Sequence, residues 1–125
     1  MSSKQFSTVI NCMDGRVQLP VNTWMQERYG APYVDTITEA GPNNILVNGT
    51  EAQLASMKEK VRISVEAHGS EVLAIVGHHD CAGNPVSREI QEQQIREGIS
   101  IVKGWGFPIT VIGLFVNENW EVEEV

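Results

Sequence analysis

Five consecutive apolar residues, Val72-Leu73-Ala74-Ile75-Val76, constrain the fold more than any other stretch of this chain. A run without the alternation of a half-exposed strand belongs to a strand covered on both faces, as in a parallel sheet. Its surroundings agree. Ahead of it, Thr50-Glu51-Ala52-Gln53 has the spacing of a capping box, and Leu54, Met57, Val61 and Val65 follow at helical period. His68-Gly69 ends that helix, with Gly69 as its left-handed cap. Behind the run, Asn84-Pro85 predicts the N-cap and first position of a further helix reaching about Gly104. Gly98 and a Gln/Glu-rich first half leave that helix a thin apolar face. A last buried strand spans Ile109 to Val116.

The N-terminal third repeats the alternation. Phe6 to Ile10 is a short β-rich run, and Pro20 and Asn22 open a helix carrying Val21, Trp24, Met25 and Tyr29 on one face. Gly30 and Pro32 stop it. A second strand, Tyr33 to Thr38, runs into a turn over Ala40-Gly41-Pro42-Asn43-Asn44. Strands alternating with helices imply a parallel sheet with right-handed crossovers. The expected fold is a single α/β domain over residues 1–125, in three layers. Its mostly parallel sheet has four to five strands in the order 2-1-3-4, flanked by helices.

Composition limits the partners. The formal net charge of −7 argues against nucleic acid or an anionic membrane. The acidic residues crowd into Glu118, Glu121, Glu123 and Glu124, which read as a solvated tail. No apolar stretch approaches the roughly 20 residues that span a bilayer. Met1 to Gln5 leads straight into the first strand with no signal-peptide core, so a cytoplasmic location is expected. There the two cysteines stay reduced, and metal binding or catalysis outranks a disulfide.

Both cysteines fall at strand ends. Cys12 follows the first strand, and His78 with Cys81 follows the third. In this topology strands 1 and 3 are neighbours, and ligands bind outside their carboxyl ends at the switch point. Two thiolates and an imidazole make three-quarters of a tetrahedral zinc shell, with the fourth position open as in catalytic rather than structural sites. The helix expected at Asn84-Pro85 would point its positive end at Cys81 and favour the thiolate there. Zn2+ would lower the pKa of its water, less strongly than a three-histidine site does, so activity should rise on the alkaline side. Asp14 and Arg16 stand two and four residues after Cys12 and share its face if the backbone stays extended. Arg16 can grip the Asp14 carboxylate in a bidentate pair. Held so, Asp14 orients the water; released, it can close the metal's fourth position.

Cys12-x-Asp14-x-Arg16 followed by Gly77-His78-x-x-Cys81 resembles the signature of the β-class carbonic anhydrases, over a topology running from about Phe6 to Val116. The resemblance implies hydration of carbon dioxide to bicarbonate by a metal-bound hydroxide. Cys12, His78 and Cys81 would be the ligands, and Asp14 and Arg16 the catalytic dyad. Ala40-Gly41 resembles the family's small-residue loop beside the site. This sequence departs from the pattern at Ala82, which precedes Gly83 where a glycine usually follows the cysteine directly, and at Glu39, where an asparagine is common. The eleven residues ahead of Cys12 are too few for the family's helical arm. The expected partner is a small-molecule substrate within a homodimer or higher homo-oligomer. The rival readings are a non-catalytic zinc protein with Asp14 on the metal, a hydrolase of carbonyl sulfide or carbon disulfide, and a thiol redox protein pairing Cys12 with Cys81. His79 is expected to face solvent and His68 to cap its helix. Trp24 and Trp105 are expected in the core or at a subunit contact, and Trp120 as an anchor for the tail or an interface.

Overall fold

The computed structural model describes residues 5–125. Its elements run β1 (Phe6–Cys12), α1 (Gln18–Tyr29), β2 (Tyr33–Glu39), α2 (Pro42–Asn48), α3 (Glu51–His68), β3 (Val72–His78), α4 (Arg88–Lys103), β4 (Thr110–Val116) and β5 (Val122–Glu124). The sheet order is β2-β1-β3-β4-β5, parallel except for β5, which runs antiparallel to β4. The expected order 2-1-3-4 therefore holds, with one edge strand added.

The chain leaves β1 in one direction through α1 and later crosses to β3 and β4 through α2, α3 and α4. Right-handed crossovers put α1 on one face and the other three helices on the opposite face. Two cores result. Ile10, Ile37, Leu73, Ile75 and Phe115 pack with Leu46, Met57, Val61 and Ile95 on the three-helix side. Val9, Ala74, Val76 and Leu114 pack with Val17, Val21 and Met25 beneath α1. All seven residues of β3 are buried, as its uninterrupted apolar run requires.

Helix α3 starts where the sequence says. Thr50 accepts from the Gln53 N–H, Gln53 reciprocates, and Gly69 caps the other end at φ +70°. Helix α4 does not start at Asn84-Pro85. Its N-cap is Ser87, whose hydroxyl accepts from the Ile90 N–H at 3.2 Å. The Asn84 side chain is buried and held by Gln94, to which its amide N–H donates at 2.7 Å. The thin apolar face of α4 has a related cause: buried Gln91 is spent on hydrogen bonds to the end of β3 and buried Gln94 on one to the loop after it. Gly98 lies against Leu46 of α2, where an added Cβ would sit 3.1 Å from a side-chain carbon.

Two elements escape the sequence reading. The turn expected after β2 continues into helix α2, with Pro42, Asn43 and Leu46 buried. The acidic end is solvated at Glu118, Glu121 and Glu124, as expected, but it is not a loose tail. Val122–Glu124 pairs with β4, and Glu123 receives Arg88 at 2.7 Å and Asn117 at 2.8 Å.

Candidate metal centre

At the carboxyl ends of β1 and β3 the chain gathers Cys12, His78 and Cys81, all three buried. Their ligand atoms lie within 4.8 Å of one another. Parallel pairing of β1 with β3 places those strand ends side by side, and the loop after β3 folds back over them. A tetrahedral zinc with sulfur at about 2.3 Å sets two sulfurs about 3.8 Å apart. The Sγ atoms of Cys12 and Cys81 are 3.8 Å apart.

The imidazole is set for the same role. Its Nδ1 lies 2.7 Å from the His79 carbonyl oxygen, which can only accept, so Nδ1 carries the proton. Its Nε2 is buried without any hydrogen-bond partner. A buried polar nitrogen left open beside two sulfurs could serve as a metal ligand. Around it the backbone is braced. The Gln91 amide accepts from the His78 N–H at 3.0 Å and donates to its carbonyl at 2.8 Å. Asn43 donates to the Val76 carbonyl at 3.2 Å.

The two thiols are coupled. The Cys81 thiol, aided by backbone N–H groups of Gly41 and Asp14, lowers the pKa of Cys12 and favours its thiolate. Cys81 itself is raised, chiefly because it donates to that thiolate and also because it is buried. The expectation that a helix end favours the Cys81 thiolate fails, since α4 begins seven residues beyond it. Burial opposes charge on His78. The Cys12 thiolate and the His79 carbonyl outweigh burial and raise its pKa.

Asp14 and Arg16 pair, but through a turn rather than an extended strand. Asp14 is the N-cap of a short 3-10 turn, Gly15–Val17, and accepts from the Arg16 N–H at 2.9 Å. The guanidinium then donates from Nη2 at 2.7 Å and from Nε at 3.0 Å, one to each carboxylate oxygen. Those hydrogen bonds hold the Asp14 pKa down to about 2. Asp80 also reaches Arg16, at 3.3 Å through its carboxylate and 3.2 Å through its carbonyl. The Trp120 ring lies under the guanidinium at 4.5 Å. His79 is exposed, as expected.

Small residues shape the entrance. Ala40-Gly41 and Ala82-Gly83 meet backbone to backbone: a Cβ on Gly83 would lie 2.5 Å from Ala40, and one on Gly41 2.7 Å from Gly83. The glycine displaced by Ala82 is thus the one that makes the close contact. A cavity of about 240 Å³ opens on Cys12, Met13, Asp14, Ala40, Ala82 and Gly83.

Gln91, Asn43, Asp80 and the Arg16 contact of Trp120 were not read from the sequence. A glutamine run on a helix with a thin apolar face was the available signal for Gln91. The other three depend on long-range packing.

An open α/β sheet with two sulfurs and an imidazole converging at its switch point defines a carbonic-anhydrase-like protein with a candidate metal centre. The chain belongs to the family described as "Putative carbonic anhydrase", whose model matches residues 2–125. No curated protein matches it by sequence. Solved structures resemble it in fold. The β-carbonic anhydrase CafA of Aspergillus fumigatus has 12% identity and a TM-score of 0.58, covering 97% of this chain and 74% of that one. The β-carbonic anhydrase isoform I of Trichomonas vaginalis has 14% identity and a TM-score of 0.58, with 97% and 81% covered. The β-carbonic anhydrase CcaA has 13% identity and a TM-score of 0.56, with 96% and 79% covered.

Proposed function

We propose that this protein is a zinc-dependent carbonic anhydrase that hydrates carbon dioxide to bicarbonate. Cys12, His78 and Cys81 hold the ion, and Asp14 with Arg16 serves the reaction beside it. The observation that carries the reading is the open Nε2 of His78, buried next to a pair of sulfurs at tetrahedral spacing. Zinc bound there supplies Lewis acidity that brings the ionisation of water toward neutral pH. Asp14, ionised far below neutral pH, accepts a hydrogen bond from the attacking water and is too weak a base to take its proton. Its bidentate grip by Arg16 keeps the carboxylate aimed and off the metal.

The cavity favours a small neutral substrate. Ala40, Ala82 and Gly83 offer no charged side chain, and the Asp14 charge beside them is paired with Arg16. Carbonyl sulfide and carbon disulfide fit the same description and are the direct competitors. A protein with Asp14 permanently on the metal fits less well, because Asp14 is already engaged by Arg16. A redox pair of Cys12 and Cys81 would leave Asp14, Arg16 and the open His78 nitrogen without a role.

Met13, 65% exposed, lines the site's cavity, Leu19, 75% exposed, lines a separate surface groove with Trp24 and Trp120, and isologous pairing of two chains would cover such residues. The reading therefore includes a homodimer or larger homo-oligomer, tested by light scattering, with a strict monomer as the contrary result. It also includes the cytoplasm, where both cysteines stay reduced. None of the described helices is long and apolar enough to cross a membrane.

Stopped-flow hydration of carbon dioxide by the zinc-loaded protein tests the activity. The reading expects turnover that Cys81→Ser abolishes. Zinc-loaded protein that hydrolyses carbon disulfide but leaves carbon dioxide untouched would overturn it.

A further inference from the structure

Among the described residues only two non-glycine residues have positive φ, Asp80 at 59° and Trp120 at 61°. They come from different loops, and both touch Arg16. Left-handed backbone is tolerable for aspartate, but for a residue as bulky as tryptophan it is an outlier that its surroundings must impose. The surroundings are specific. Asn117 accepts from the Asn119 and Glu121 N–H groups at 2.9 and 3.1 Å, and its carbonyl accepts from the Trp120 N–H at 2.9 Å. The Asn117 amide is anchored on Glu123 of the edge strand. The strained turn lays the indole against the guanidinium at 4.5 Å. Asp80 accepts from Arg16 Nη1 through its carboxylate and from Nη2 through its carbonyl.

We infer that Trp120 and Asp80 are positioning residues that clamp Arg16 onto Asp14, and so keep the Asp14 carboxylate from closing the metal site. The inference rests on the proposed metal centre for its second half only. The clamp itself belongs to this chain with or without an ion. It also gives the edge strand β5 a purpose, since that strand anchors the turn carrying Trp120.

Trp120→Gly separates the clamp from the fold, because glycine relaxes the left-handed turn while deleting the ring. In the metal-free protein, hydrogen exchange at Arg16 Nε–H should speed up about two- to fivefold, the factor an exposed cation–π contact implies. Trp120→Phe should restore part of the protection, and Asp80→Asn should lose protection while keeping the turn. In cobalt(II)-loaded protein, thiocyanate binding followed by visible absorption should weaken by up to the same factor in Trp120→Gly as Asp14 competes for the metal. Unchanged Arg16 exchange in Trp120→Gly would overturn the clamp. Faster exchange with unchanged thiocyanate affinity would overturn its control of the metal. Wild-type protein that takes up no cobalt would instead refute the metal centre, and the exchange measurement would still decide the clamp.

Discussion

The Nδ1 of His78 donates to the carbonyl of the next residue, His79, at 2.7 Å, and this contact between neighbours turns the other ring nitrogen toward two cysteines. It fixes the tautomer in advance, so metal binding need not reorganise the ring. We expect nitrogen-15 NMR of the metal-free protein above the His78 pKa to show the proton on Nδ1. Zinc should then shift Nε2 while leaving Nδ1 protonated. Binding through Nδ1 would contradict this geometry.

Gln91 braces the same residue through both its backbone groups. Gln91→Leu keeps the volume but strands a buried N–H and C=O, costing about 2–4 kcal/mol at the usual penalty for such groups. Urea unfolding of the metal-free protein measures it. A loss below about 0.5 kcal/mol would show that the brace is dispensable.

Gly83 marks where two loops touch. Its added Cβ would fall 2.5 Å from the Ala40 carbonyl carbon, which belongs to backbone and cannot swing aside. Gly83→Ala should cost about 1–3 kcal/mol as overpacking does, and should weaken zinc binding by moving the loop that carries Cys81. Gly15→Ala, where a Cβ meets nothing within 4 Å, is the control and should stay within about 0.5 kcal/mol.

The Asp14–Arg16 pair has a pH signature in the metal-free protein. Asp14 falls from 3.8 to about 2 on folding because Arg16 donates to it. A depressed acid stabilises the fold fully above its unfolded pKa and loses that contribution as pH drops through the folded one. The stability difference between wild type and Arg16→Ala should therefore be constant above about pH 5 and shrink steadily toward pH 2. Denaturant titrations across that range measure it. A difference that grows on acidification would contradict the pairing.

Much of this was legible in the sequence because it is local. The apolar run of β3, the capping box at Thr50 and the left-handed Gly69 each state their structure within a few residues. The strand order followed from the usual placement of strand 1 beside strand 3 in doubly wound chains, which brought Cys12 to His78 and Cys81. The failures were non-local. Asn84-Pro85 has the look of a helix start, yet Gln94 ten residues on claims the asparagine side chain and the cap passes to Ser87. The glutamates near the end read as a solvated run until Arg88 and Asn117 are placed opposite Glu123. Asp14 and Arg16 were expected to meet along a strand. They meet around a 3-10 turn instead, because Asp14 caps it.

X-ray absorption at the zinc edge of protein loaded with one equivalent of the metal tests the central claim most directly. The account predicts two sulfurs at about 2.3 Å and two lighter atoms at about 2.0–2.1 Å, one of them an imidazole nitrogen, with one sulfur lost in Cys81→Ser. A zinc environment without sulfur, or a protein that takes up no zinc, would contradict it.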